Sequence, residues 1–208
     1  MKQTSKFITF EGGEGAGKTT LIEALFSHFK KEGVSTFKTR APGGTKVGSQ
    51  VRDLLLHKKE AKLCGRTELF LFLADRAQHV EEIILPALEK HQLVLCDRFN
   101  DSTIAYQGEA RGFGRERVKE FCSFACGELI PNLTIYLDID PAIGLERASR
   151  GGSGMDKIES EALAFHQKIR GAFHQTAKEE PTRFKIIDAS LKRELVLKQA
   201  LAIITPIL

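Results

Sequence analysis

The sequence specifies an α/β fold, a five-stranded parallel sheet with helices on both faces. Three observations predict it. Five apolar runs of strand length recur along the 208 residues, separated by longer stretches of helical period. One of them, "QLVLCD" (92–97), is apolar without alternation, as a strand covered on both faces is. Strand and helix alternate from end to end, which gives parallel strands joined by right-handed crossovers.

Each element follows in order. "KFITFE" (6–11) is the first strand, and "LIEALFSHFKKEG" after it is a helix with Leu21, Ile22, Leu25, Phe26 and Phe29 on one face, closed by Gly33. "VSTFKTR" (34–40) is the second strand. The turn "APGGT" leads to a helix over Lys46 to His57, and a long helix runs from Thr67 to Lys90 with a kink at Pro86, which lacks a helical N–H. "QLVLCD", "NLTIYLDI" (132–139) and "RFKIIDA" (183–189) are strands three to five. Helices fill the spaces after Asp97, after Pro141, from Asp156 to Lys178, and from Leu191 to Ile204. In such sheets ligands bind at the carboxyl ends of the strands, so Glu11, Arg40, Asp97 and Asp138 are expected to converge there.

Composition narrows the function. With 42% hydrophobic and 28% charged residues, the chain is expected to form one soluble domain over 1–208. A net charge of +4 suits small phosphate-bearing molecules and is too weak for a nucleic-acid surface. No run reaches membrane-span length, and "MKQTSKFITF" leaves no room for a signal-peptide core, so a cytoplasmic protein is expected. Cys64, Cys96, Cys122 and Cys126 lack metal-ligand spacing and are expected to be reduced, core or half-buried thiols.

The chemistry starts at "FEGGEGAGKTT" (10–20). Gly12, four residues, then Gly17-Lys18-Thr19 is the phosphate-binding P-loop spacing, placed between a strand and a helix. Backbone N–H groups from Gly12, Gly13, Glu14, Gly15, Ala16 and Gly17 onward to Lys18, Thr19 and Thr20 are expected to cradle a ligand's phosphates at a helix N-terminus. Lys18 reaches the outer phosphates, and the Thr19 hydroxyl with Asp97 is the expected Mg²⁺ site. Arg40 and Arg98 end the second and third strands with planar forks suited to an acceptor phosphate. Arg147 and Arg150 precede "GGSG" (151–154), an arginine-bearing lid over about 147–157 that closes on the transferred group.

"TRAPGGT", "DRFNDSTIAYQG", "PNLTIYLDIDPAIGLERA" and "DKIE", in this order with the P-loop, resemble the bacterial thymidylate kinase family over Lys6 to Asp188. The resemblance implies a P-loop kinase fold and the transfer of the γ-phosphoryl group of ATP to thymidine monophosphate, a step in dTTP biosynthesis. It also implies Mg²⁺ and a cytosolic homodimer. Carried over residue by residue, it implies that Glu14 reads the sugar 3′-hydroxyl and that Arg40 and Arg98 hold the acceptor phosphate. Phe72 would stack on the thymine, Arg76 would bond its carbonyl edge, Thr103 with Ser102 would face the remaining edge, and Gln107 would border the pocket. Tyr106 would pack where a ribose 2′-hydroxyl projects.

Two positions depart from that pattern. Ala41 stands where the family usually has Glu, which leaves the placing of Arg40 to other groups, Glu11 among them. Asp156-Lys157 stands for the usual Asp-Arg, so Arg147 and Arg150 are expected to carry the catalytic charge with Lys18 and Arg98. The rival readings are a kinase for another nucleoside monophosphate, a GTPase-like switch, and a silent nucleotide-binding module. Phe72, Arg76 and "STIAYQG" oppose the first. The second lacks a guanine-reading Asn/Thr-Lys-x-Asp, since Thr45-Lys46 continues Val-Gly.

Overall fold

Aromatic and β-branched residues put β1 (Lys6–Glu11), β3 (Leu93–Asp97) and β4 (Leu133–Asp138) in the middle of the sheet, buried along nearly their whole length. β2 (Thr36–Arg40) and β5 (Phe184–Asp188), more polar, form the edges, in the order β2-β3-β1-β4-β5 with every pairing parallel. The structure, a computed structural model, describes residues 5–58, 62–150 and 156–208.

The two-residue period of the strands decides which helices pack where. Ile8, Phe10, Leu93 and Leu95 face α1 (Lys18–Lys31) and α9 (Arg193–Ile204), meeting Leu25, Phe29, Ala200 and Ile204. Phe7, Val94 and Cys96 face the other way, against Val80, Ile84 and Ala87 of the long helical stretch after the second strand. Tyr136 and Phe184 on that face meet Ile169 and Phe173 of α8 (Leu163–Glu179).

The helices are less uniform than their hydrophobic period suggests. The first crossover has α2 (Lys46–Arg52) running into a π-helical turn, Asp53–His57. The expected 67–90 helix is α3 (Gly65–His79), a π turn at Val80–Ile84, and α4 (Leu85–Lys90) with Pro86 in its first turn. Proline thus sits where its missing N–H costs least, and the irregular turn precedes it. After β3 come α5 (Asn100–Thr103), a π stretch at Ile104–Ala110, and α6 (Arg115–Ala125). α7 (Pro141–Ser149) follows β4. The helix expected from Asp156 starts instead at Leu163. The Asp156 carboxylate accepts the N–H groups of Ile158 and Glu159 and closes a separate turn.

The register aligns the strand ends. Arg40 lies opposite Asp97 and Asp97 opposite Phe10, so β2, β3 and β1 finish at one level.

Candidate active site

The glycine-rich loop joins β1 to α1. Gly15 has φ +65°, and a Cβ there would lie 2.0 Å from the carbonyl oxygen of Gly144 on α7. A Cβ on Gly144 would in turn lie 2.4 Å from the carbonyl oxygen of Glu14. Loop and helix therefore meet backbone against backbone, which a side chain at either position prevents. Gly17 precedes α1, whose first turn has no side-chain cap and no acidic residue, so its N–H groups are left for an anion. Glu14 through Thr20 line a cleft of about 1300 Å³, large enough for a nucleoside triphosphate. Gly12 and Gly13 lie behind it. Their carbonyls accept from the buried Lys18 Nζ at 3.0 and 2.9 Å and so place the ammonium. Burial lowers the pKa of Lys18 and Arg98 adds to this, against Glu14 and Asp97.

Thr19 Oγ1 donates to Asp97 Oδ2 at 3.0 Å, bringing a hydroxyl and a carboxylate together at the mouth of the P-loop. Oxygen donors of this kind suit a hard divalent cation. Among the described residues no group of three His, Cys, Asp or Glu is arranged for a metal ion.

Arg98 follows directly in the left-handed region, φ 65°, with its N–H on the carbonyl of Phe10 at 2.9 Å. Such backbone costs about 1–3 kcal/mol and persists only where the surroundings hold it. Here it turns the guanidinium back over the P-loop. Nη2 reaches Glu14 Oε1 at 2.6 Å, Nη1 reaches Ser102 Oγ at 3.1 Å, and the group lies over the Tyr106 ring. Burial pushes the Glu14 carboxyl up, but Arg98 and Lys18 outweigh it and hold it at about 2, ionised.

Arg98 also lines a second, narrower cavity with Glu14, Phe72, Arg76, Ser102, Thr103, Tyr106 and Gln107, walled by Leu56 and Ile158. The residues expected at the acceptor base are thus brought together. The Tyr106 hydroxyl donates to Glu14 at 3.0 Å. Arg76, 3% exposed and stacked over Phe99, leaves Nε and Nη1 without a partner. Buried donors without acceptors are costly, and a ligand carbonyl relieves that cost. Gln107 Nε2 donates to Glu68 behind the wall.

Arg40 is exposed at the end of β2 and lines the large cleft, with Arg147 and Arg150. Arg147 Nη1 is held by the carbonyl of Ala189 at 2.9 Å, and Arg150 pairs with Glu146. The lid glycines 151, 152 and 154 lie outside the described residues. Beyond them, Lys157 Nζ donates to the carbonyl of Leu54 at 3.1 Å and its N–H to that of Leu56 at 3.3 Å.

Two expectations need correction. Glu11 does not place Arg40. Its carboxylate accepts the N–H groups of Phe99 and Ser102 and the Ser102 hydroxyl, holding the start of α5. Burial, with Asp101 next, raises its pKa to about 7. Asp138 does not join the phosphate site either. It binds Arg170 through Nε (2.8 Å) and Nη2 (3.0 Å), the Tyr136 hydroxyl and His174, all on the α8 side of the sheet. Cys96, Cys122 and Cys126 are buried thiols as expected, whereas Cys64 is exposed.

Sequence reading also missed residues. Arg52, whose Nη1 donates to the carbonyl of Pro42 at 3.0 Å, lines both cavities. Its position in an amphipathic helix gives no sign of this. Ala189, Leu191, Lys192, Arg193, Val196 and Leu197 complete the large cleft beyond β5. The rule that ligands sit past strand ends pointed there.

A parallel sheet with a P-loop on its central strand, an acid and an arginine ending the next, and two adjoining cavities that share Arg98 defines a P-loop kinase with separate donor and acceptor sites. The chain belongs to the thymidylate kinase family. The family model for thymidylate kinase matches residues 10–200. The chain is 48% identical over 202 residues to a thymidylate kinase of Protochlamydia amoebophila, covering 94% of this chain and 90% of that one. It is 49% identical over 199 residues to one of Desulfovibrio desulfuricans, covering 93% and 92%. The crystal structure of thymidylate kinase from Ehrlichia chaffeensis superposes with a TM-score of 0.78 at 31% identity, covering 97% of this chain and 98% of that chain.

Proposed function

We propose a division of roles for the reaction of this family, in which ATP phosphorylates thymidine monophosphate to the diphosphate. The observation that carries it is Arg98, shared by the P-loop cleft and the base-sized cavity. ATP lies on Gly12 to Thr20, with Lys18 against its outer phosphates. Thr19 and Asp97 would hold Mg²⁺, which would neutralise charge on the donor phosphates. Arg40 and Arg98 orient the acceptor phosphate, and Glu14 takes the 3′-hydroxyl. Phe72, Arg76, Ser102, Thr103 and Gln107 surround the thymine, and Tyr106 closes the 2′ side of the sugar. Arg147 and Arg150 bring positive charge to the transferred group, where preorganised charge lowers the barrier most.

The chain works as a single domain over 1–208, in the cytoplasm, without nucleic-acid partners. Among the described residues no helix is long and apolar enough to cross a membrane. A homodimer is supported by Phe70 on α3 and Phe121 and Phe124 on α6, exposed and adjacent, with Phe124 at 91%. A coupled assay across the nucleoside monophosphates tests the substrate. Calorimetric titration is expected to give tight binding for thymidine monophosphate and weak binding for uridine and guanosine monophosphates. Equal binding of all three removes the assignment.

A further inference from the structure

Glu68 lies one turn before Phe72 on α3 and does not line the base cavity, yet it grips the cavity wall from behind. Its Oε1 accepts from Gln107 Nε2 at 2.9 Å and from Arg111 Nε at 3.1 Å, and its Oε2 accepts from Arg111 Nη2 at 3.0 Å. Arg111 is fixed in turn by Glu161 at 2.6 Å and by the ring of Phe165. The carboxylate is therefore held in place, with a guanidinium on both of its oxygens.

A primary amide presents an NH₂ on one side and a carbonyl on the other, so a glutamine beside a base can select for either polarity. An ionised carboxylate only accepts. It holds the NH₂ of Gln107 and repels its carbonyl. We infer that Glu68 sets the polarity of the base pocket, by fixing Gln107 with its Oε1 toward the cavity. This rests on the assignment of that cavity to the thymine. With Arg76 as donor and Gln107 as acceptor, the wall complements an edge with a carbonyl next to an N–H, as in thymine and uracil. It opposes cytosine, whose edge has an amino group next to a bare ring nitrogen. Gln107 is 2% exposed, so water cannot compensate the mismatch. Sites built to bond an N–H reject analogues lacking it by up to about 10⁴–10⁵. Glu68 is a positioning residue here, acting through Gln107.

Glu68→Gln tests this, because a neutral amide both donates and accepts and lets Gln107 turn over. kcat/KM is measured for thymidine and deoxycytidine monophosphates on the full chain. The ratio of the two is expected to fall at least about tenfold, most of the change being lost efficiency on thymidine monophosphate. Combining Glu68→Gln with Gln107→Glu restores an acceptor-only group to the cavity and is expected to recover the ratio to within about tenfold of its starting value. Equal losses on both substrates, or an unchanged ratio, overturn the inference and leave Glu68 a brace. The unaltered chain supplies a check that no folding defect can confuse: N3-methylthymidine monophosphate is expected to bind at least about a hundredfold more weakly than thymidine monophosphate. Equal binding overturns the inference. A chain that does not phosphorylate thymidine monophosphate at all overturns the acceptor assignment, and this inference with it. An unchanged ratio in a working enzyme overturns this inference alone.

Discussion

Arg76, Tyr106 and Gln107 in the acceptor half of the cleft are each at most 4% exposed and are packed or bonded to other elements. Arg147 and Arg150 in the donor half are exposed, and Arg150 pairs with Glu146 one turn back. On the assignment proposed above, the base meets a surface fixed before it arrives, whereas the charge of Arg147 and Arg150 is gathered once phosphates are present. Fixing the recognition surface in advance saves ordering entropy at binding. Such arginines raise kcat only through contacts that strengthen as the phosphoryl group is transferred.

The sharpest way to break this comparison is at the fixed point of the donor half. Lys18→Ala is expected to lower kcat by at least about a thousandfold with circular dichroism unchanged, since Lys18 balances charge that grows on the transferred group. A folded variant within tenfold of wild type would take the P-loop out of the mechanism. Arg150→Ala separates gathering from recruiting. It is expected to lower kcat at least about a hundredfold while changing thymidine monophosphate affinity by less than about fivefold. Weaker binding with kcat spared would make the lid arginines recruiting groups and move the catalytic charge to Arg98. The acceptor half gives smaller effects. Loss of the thymine methyl, in deoxyuridine monophosphate, is expected to reduce kcat/KM about ten- to two-hundred-fold; equal efficiency would displace the base from Phe72. Tyr106→Ala is expected to raise the ratio of ribonucleotide to deoxyribonucleotide activity by about three- to tenfold. An unchanged ratio returns Tyr106 to a packing role.

The two halves also differed in how much of them the sequence disclosed. The P-loop was legible because phosphate chemistry dictates glycine spacing locally, and the five strands because buried parallel strands are continuously apolar. Asp138 and Glu11 were misplaced for one reason. A strand-end acid can face the ligand or a helix that covers the sheet, and only the packing of α8 and α5 decides which. The turn at Asp156 was missed because a carboxylate bonding its own backbone is indistinguishable, in a one-dimensional pattern, from the start of a helix. Arg52 and Glu68 were invisible because their partners, the carbonyl of Pro42 and the amide of Gln107, come from other segments. Local spacing records what a segment does to itself. It does not record who stands behind it.

The contact between Gly15 and Gly144 carries a consequence for how this enzyme can change over evolutionary time. Two main chains touch there with no side chain between them, so neither position has a nearby amino acid to drift to. Alanine, the smallest possible step, already puts a methyl group within 2.0 to 2.4 Å of a backbone oxygen. Most residues around the cleft can be exchanged for something similar and repaired by a neighbour. At this junction a single substitution has no tolerated intermediate, because the obstacle is backbone and cannot itself mutate. The angle at which α7 carries Arg147 past the P-loop is therefore inherited as a unit.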